Sequence, residues 1–198
     1  WDLTFSPPKS VSVLWALSPE DVRAEILRAH QRAVTQTLTQ LENTLAVSRS
    51  GKAGAVHESA GLAVVVQQHY TSRTNDPQIH SHTVVINVGV RADGSTGALH
   101  SINWFRAKKV LGAAYQARFA SELRHGLGLT IETKKDSFHI GGVPEVVCDV
   151  FSKRSEKIKR VLKERGEKGA LAAQKVTVRA TGPLLDAKEE DFLKPYGR

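Results

Sequence analysis

The chain has 198 residues, enough to bury a proper core, and one domain is the default organisation at that length. Its 28 Lys and Arg against 20 Asp and Glu leave a formal charge of +8, which favours a polyanionic partner, nucleic acid before membrane. One cysteine, Cys148, excludes an internal disulfide and a cysteine-based metal site, no apolar run approaches the ~18 residues of a membrane span, and no signal peptide heads the sequence.

Residues 2–6 alternate polar and apolar, as a strand with one buried face does. Pro7 and Pro8 break it, and residues 9–15 resume a mixed apolar pattern that fits a strand or a short helix. Ser18, Pro19, Glu20 and Asp21 read as a helix start: an N-cap serine, proline at the first helical position and acids in the first turn. The helix is predicted over 19–44, with Val22, Ile26, Ala29, Ala33, Thr37, Leu38, Leu41 and Leu45 as its apolar stripe. Residues 49–54 form a basic, glycine-containing hairpin or loop. Two strands follow, at 62–70 and 79–90, joined by the turn chemistry of Thr74, Asn75, Asp76 and Pro77. Asp93-Gly94 marks another turn, with a short strand expected at 98–100. Residues 104–125 read as a second long helix, with Val110, Leu111, Ala114, Phe119 and Leu123 inward and Gly126 and Gly128 ending it. Strands at 129–133 and 137–140 flank a Lys134-Lys135-Asp136 turn.

After Gly141 and Gly142 the texture changes. Helices are predicted at 144–151, 153–164 and 169–178, strongly charged and poor in large apolar residues, with an irregular end from Gly182. Cys148 fits a small buried apolar position on the first of these. Lys153, Arg154, Lys157, Lys159, Arg160 and Lys163 make the second a basic helix suited to clamping a charged substrate. The expected fold is α/β of the α+β kind: a central antiparallel sheet flanked by helices, as a core over 1–142, followed by a basic helical segment over 143–198. The sequence contains no methionine and opens within strand-like residues, so a fragment whose N-terminus lies upstream is expected.

Three of the eight histidines, His69, His80 and His82, fall within fourteen residues of the paired strands. Successive strand side chains alternate faces, so His80 and His82 point the same way, and a hairpin brings His69 beside them. A lone histidine is ordinarily a surface residue or a satisfied core residue, but this pattern points to a metal site with positions left for substrate. Imidazole suits zinc, nickel and copper; magnesium or manganese would need oxygen from a phosphate substrate. A ligating histidine commonly donates its other N–H to a carboxylate, and Asp2 and Asp76 are the candidates. The remaining histidines, His30, His57, His100, His125 and His139, show no such geometry and read as structural, His57 being a weak extra candidate.

The block from Asp2 to Ser12, followed by the block from His69 to His82 with Ser72-Arg73 and Asp76-Pro77-Gln78 inside it, resembles the relaxase domain of the MobF family (TrwC type), conjugative relaxases of the HUH endonuclease superfamily. Segments at 118–128 and 151–155 are similar as well. The resemblance implies site- and strand-specific nicking and joining of DNA at a plasmid transfer origin through a 5′-phosphotyrosyl intermediate, in the bacterial cytoplasm. It implies single-stranded origin DNA with an adjacent hairpin as partner, and a helicase domain following in many relatives. His69, His80 and His82 match the ligands of a divalent ion (Mg, Mn, Zn or Ni), and Asp2 matches the aspartate that orients them and assists the tyrosine. The superfamily position between the last two histidines is usually hydrophobic; here it is Ser81. The family's nucleophilic tyrosines lie upstream of the Asp2 block, and none of Tyr70, Tyr115 and Tyr196 matches them. This chain is therefore expected to bind metal and DNA without forming the covalent adduct.

For DNA contacts, Arg49, Lys52, Arg73 and Arg91 flank the histidine hairpin and Lys153 and Arg154 open the basic helix. Trp104, Phe105 and Tyr70 are able to stack on bases, but core positions are expected for all three. Two other readings remain open from sequence: a non-catalytic single-stranded DNA-binding module with a structural metal, and a phosphoesterase using activated water.

Overall fold

The computed structural model describes residues 1–166, 168 and 169. The helix expected at 169–178 beyond its first residue, the irregular end and Tyr196 lie outside the described residues. Strand β1 (Asp2–Phe5) is followed by helices α1 (Lys9–Leu17) and α2 (Glu20–Leu45), and then by a small hairpin of β2 (Val47–Ser50) and β3 (Val56–Ser59). The long strands β4 (Gly61–Thr71) and β5 (Pro77–Val90) come next, with the short β6 (Thr96–Gly97). Helix α3 (Ile102–Leu127) leads to the hairpin β7 (Ile131–Lys134) and β8 (Ser137–Ile140), and then α4 (Glu145–Val150) and α5 (Lys153–Glu164). None of these helices is long and apolar enough to cross a membrane.

The main sheet is antiparallel, in the order β1-β5-β4, with β6 pairing the far end of β5. On β5, Ile79, Ser81, Thr83 and Val85 are buried, while Val84, Ile86 and Val88 are exposed. The sheet is therefore covered on one face. There Ile79 joins Phe5, Val11, Trp15, Ile26, Ala33, Tyr115 and Phe119 in the main core. Each Ile or Phe so buried stabilises the fold by roughly 1.5–3 kcal/mol relative to exposure.

Residues 9–15 belong to a helix, not a strand. Val11 and Trp15, one turn apart, pack into the core, and the buried Ser10 and Ser12 serve backbone groups of other elements. Ser12 Oγ accepts from Ile79 N–H and Ser10 Oγ from Ile140 N–H, both at 3.1 Å. Ser18 is not the N-cap of α2: it ends α1, its hydroxyl donating to Leu14 O at 2.7 Å, and Pro19 takes the cap position. The short strand expected at 98–100 is found two residues earlier as β6, and Leu99 makes an isolated bridge to Ser48. On α3 the buried line is Trp104, Leu111, Tyr115, Phe119 and Leu123. Val110 and Phe105 are exposed, because one residue is a 100° step around a helix and carries each off that line. Gly126 lies inside α3; Gly128, at a φ of 63°, closes it in the left-handed cap conformation that glycine favours.

Candidate functional site

The β4–β5 turn is closed from within. Ser72 N–H donates to Asp76 O at 2.9 Å and Asn75 N–H to Ser72 O at 3.0 Å. Ser72 Oγ accepts from the amides of Thr74 and Asp76, both at 3.2 Å. Asn75 sits at a φ of 58°, which asparagine tolerates better than most residues. This turn sets the register: His69 stands directly opposite His80, and Gln67 opposite His82. Because side chains alternate, the three imidazoles share the face of the sheet away from the core. Their ring centroids lie 5.2 Å (His69–His80), 5.4 Å (His69–His82) and 5.2 Å (His80–His82) apart.

Two of the rings are held in a definite orientation. His82 Nδ1 donates to Asp2 Oδ2 at 2.7 Å, from the neighbouring β1, where Thr4 pairs with His82 and its Oγ1 lies 3.3 Å from the same nitrogen. His80 Nδ1 donates to Gln78 O at 3.0 Å. A carboxylate and a carbonyl only accept, so in each neutral ring the lone pair is left on Nε2. Burial pushes the His80 pKa down; the Gln78 carbonyl opposes that, and the charges of His69, His82 and Arg154 reinforce it. A neutral imidazole is the form that ligates metals. As placed, however, no group of three or more His, Cys, Asp or Glu side chains among the described residues stands where it could hold a metal ion. The His69 and His80 planes are 22° apart and stack. Converging on one ion would take rotation of these rings.

Between the two candidate carboxylates the geometry distinguishes clearly. Asp2 touches His82; Asp76 is buried in the turn, where Oδ2 accepts from Thr74 Oγ1 at 3.0 Å and Oδ1 lies 3.6 Å from Lys153 Nζ. That ion pair brings the start of α5 onto the hairpin turn. Burial and the neighbouring Arg73 lower the Arg154 pKa, and Arg154 in turn acts on His80. Arg154 lines a cleft of about 530 Å³ with Lys9, Ser12, Ser72, Gln78 and Ser155. Arg73, Lys153 and Arg154 are thus gathered beside the histidines.

Arg49 and Lys52 are not. They lie on β2 and on the short helical turn at 52–54, and this hairpin meets β5 at Gly89. A Cβ on Gly89 would stand 2.7 Å from Leu99 and 3.1 Å from Ser48, so only glycine permits that approach. The junction is seven residues beyond His82, about 23 Å along the strand. Arg91 braces the same junction, donating to Ser48 Oγ and Arg49 O, both at 2.8 Å. Tyr70 stacks on Trp15, 5.3 Å between centroids at 9°, and Trp104 is buried, as expected; Phe105 is 69% exposed and is not core. Cys148 is buried on α4. His30, read as structural, lies directly beneath the site, 2.8 Å from Ser81. The signal for it was a polar residue at an inward strand position with a histidine on the inward stripe of α2.

The sequence profile of the TrwC relaxase family matches residues 1–191. The chain belongs to the TrwC relaxase family. Among its relatives is the multifunctional conjugation protein TraI of Escherichia coli, 34% identical across 89% of this chain and 10% of TraI. The chain thus spans about a tenth of the length of that relative. Among solved structures, metal-bound conjugative relaxase TrwC in complex with oriT DNA superposes with a TM-score of 0.85 at 35% identity, covering 96% of this chain and 67% of that one. TrwC complexed with a 27-mer DNA comprising the recognition hairpin and the cleavage site gives 0.84 at 34% identity, covering 96% and 68%. The antiparallel sheet with helices on its inner face is therefore the TrwC relaxase fold.

Proposed function

We propose that this chain is the DNA-cutting and -joining part of a conjugative relaxase. In this reading it acts on single-stranded DNA beside a hairpin at a transfer origin, through a 5′-phosphotyrosyl intermediate. The observation that carries the reading is the gathering of His69, His80 and His82 on one face of the sheet, with Asp2 on His82, in a chain of the TrwC family. The three imidazoles would hold a divalent ion, His80 and His82 through Nε2, the nitrogen their Nδ1 partners leave free. Such an ion would polarise an oxygen of the scissile phosphate, and neutral ligands leave it its full charge. Asp2 keeps the proton on His82 Nδ1, and the Gln78 carbonyl does the same for His80. Arg73, Lys153 and Arg154 draw the DNA backbone to that face by charge. The site's exposed face and its three ligands argue for a catalytic over a structural ion, because structural zinc sites close their shell with four protein ligands.

The attacking tyrosine, in this reading, is none of the described ones. Tyr115 is buried with its hydroxyl 2.8 Å from His30 Nδ1, and the Tyr70 ring is stacked on Trp15. In this reading the basic segment over 143–198, of which α4 and α5 lie within the described residues, acts as the clamp, and a helicase domain follows the relaxase domain. The test is single-stranded origin DNA presented with Mg, Mn, Zn or Ni, to this chain and to the same chain preceded by the tyrosine-bearing segment of a TrwC-type relaxase. Cleavage with a covalent protein–DNA product is expected only for the second, and only with His80 intact. A phosphotyrosyl adduct on the chain alone would refute the placement of the tyrosine. Failure of the folded fusion with every metal would refute the enzyme reading.

A further inference from the structure

On the inner face of β5, beneath the three histidines, lies a side chain that the chemistry above does not use. His30, midway along α2, is fully buried. Its Nε2 lies 2.8 Å from Ser81 Oγ and its Nδ1 2.8 Å from Tyr115 Oη. The ring stands edge-on to Tyr115 and Phe119, both at 5.7 Å between centroids. Burial, with a smaller push from His80, brings its pKa down to about 4, so the ring is neutral and one nitrogen donates while the other accepts. Burial raises the Tyr115 pKa, so that phenol keeps its proton, and with a hydroxyl on each side both bonds form in either ring tautomer.

Ser81 is the residue between His80 and His82. Strand alternation sends its side chain into the core while theirs leave on the opposite face. At Ser81 the strand is paired on both sides, with Phe5 of β1 and Gln68 of β4, and the β4–β5 pairing turns irregular only beyond His80, between His69 and Thr71. We propose that His30 is a positioning residue for the histidine site: braced by Tyr115 of α3, it holds Ser81 and so sets the height and twist of β5 where His80 and His82 project. The proposal rests on the reading of those histidines as metal ligands. A hydrogen bond is directional, whereas an apolar side chain at 81 would be held only by packing.

Co(II) titration of the full chain, followed by its visible spectrum, tests this as a double-mutant cycle. Ser81→Ala and His30→Gln are each expected to weaken Co(II) binding about tenfold, the usual scale for a group that orients a ligand. The double variant is expected to be no weaker than either, with the same spectral change in all three and an unaltered far-UV circular dichroism. A folded single variant with wild-type affinity and spectrum would overturn the proposal, as would losses that multiply to about a hundredfold. If His30→Gln does not fold, Ser81→Ala and Tyr115→Phe decide: both are expected to shift the spectrum alike, and unchanged binding in both sinks the idea. His80→Ala separates the two layers. If it binds Co(II) as the wild type does, the ligand assignment fails and takes the positioning role with it. If it loses binding while the Ser81 and His30 variants keep theirs, only the positioning role fails.

Discussion

At the scale of single residues, the site depends on which protons sit where. Asp2 Oδ2 accepts from His82 Nδ1 at 2.7 Å, and that bond keeps the other ring nitrogen available as a ligand. Both side chains are partly open to water, 49% and 35% exposed, so the pair contributes little to folding and much to orientation. Asp2→Ala is therefore expected to weaken divalent-metal binding about tenfold while leaving the thermal midpoint within a degree or two. Isothermal titration beside a melting curve reads both quantities. Wild-type affinity in a folded Asp2→Ala protein would remove Asp2 from the site. Asp76, the other nearby carboxylate in the sequence and the one set in a turn-forming Asn-Asp-Pro, is expected to behave in the opposite way, because its carboxylate accepts from Thr74 within the β4–β5 turn.

At the scale of elements, what was legible from sequence followed short-range patterns. The alternation of β5 and the Asn75-Asp76-Pro77 turn were enough to bring His69 beside His80 and His82 in a hairpin, though not to set the His69–His80 register, and the stripe of α2 was readable from Ile26, Ala33 and Leu41. Helix α1 was ambiguous because its serines look like strand residues until their partners are known, and those partners, Ile79 and Ile140, are 67 and 130 residues away. The same limit hid His30. Its inward position was legible; its bond to Ser81 was not. Helix α5 shows the opposite case, a charge pattern clear in sequence whose role depends on placement. Lys153 pairs with Asp76 and Arg154 lines the cleft, whereas Arg49 and Lys52 sit at the far end of β5. Single-stranded DNA binding by Lys153→Ala/Arg154→Ala should show a log K against log salt plot shallower by about 1.4, from two lost phosphate contacts at ~0.7 each. Arg49→Ala/Lys52→Ala should change that slope less on an oligonucleotide confined to the nick region. Equal changes in the two variants, by fluorescence anisotropy across a salt series, would separate α5 from the site.

At the scale of the whole molecule, the buried His30 ties together α2, α3 and β5, and its depressed pKa makes their association sensitive to acid. The sign follows from proton counting. Above pH 6.5 the ring is neutral both folded and unfolded and contributes no pH dependence. Between pH 6.5 and about 4 the unfolded chain takes up a proton that the folded core refuses, so stability falls as the pH falls through that window. The full loss is about 3 kcal/mol, of which about 2 is gone by pH 5. His80, also lowered by burial, acts in the same direction. The carboxylates lowered by ion pairs and hydrogen bonds, Glu25, Asp93 and Glu145, lose their contributions only as the pH falls below the ordinary carboxylate range. A domain is stable by only about 5–15 kcal/mol, so the histidine loss is measurable well before those carboxylates titrate. Urea unfolding in the presence of a chelator, at half-unit steps from pH 7.5 to 5, should give a midpoint that is flat above about 6.5 and declines below it. In His30→Gln the decline should be reduced to what His80 and the surface groups supply. Identical slopes in the two proteins would show that His30 takes up its proton without opening the core. Independently, the His30 ring protons should not titrate by NMR until the pH approaches about 4.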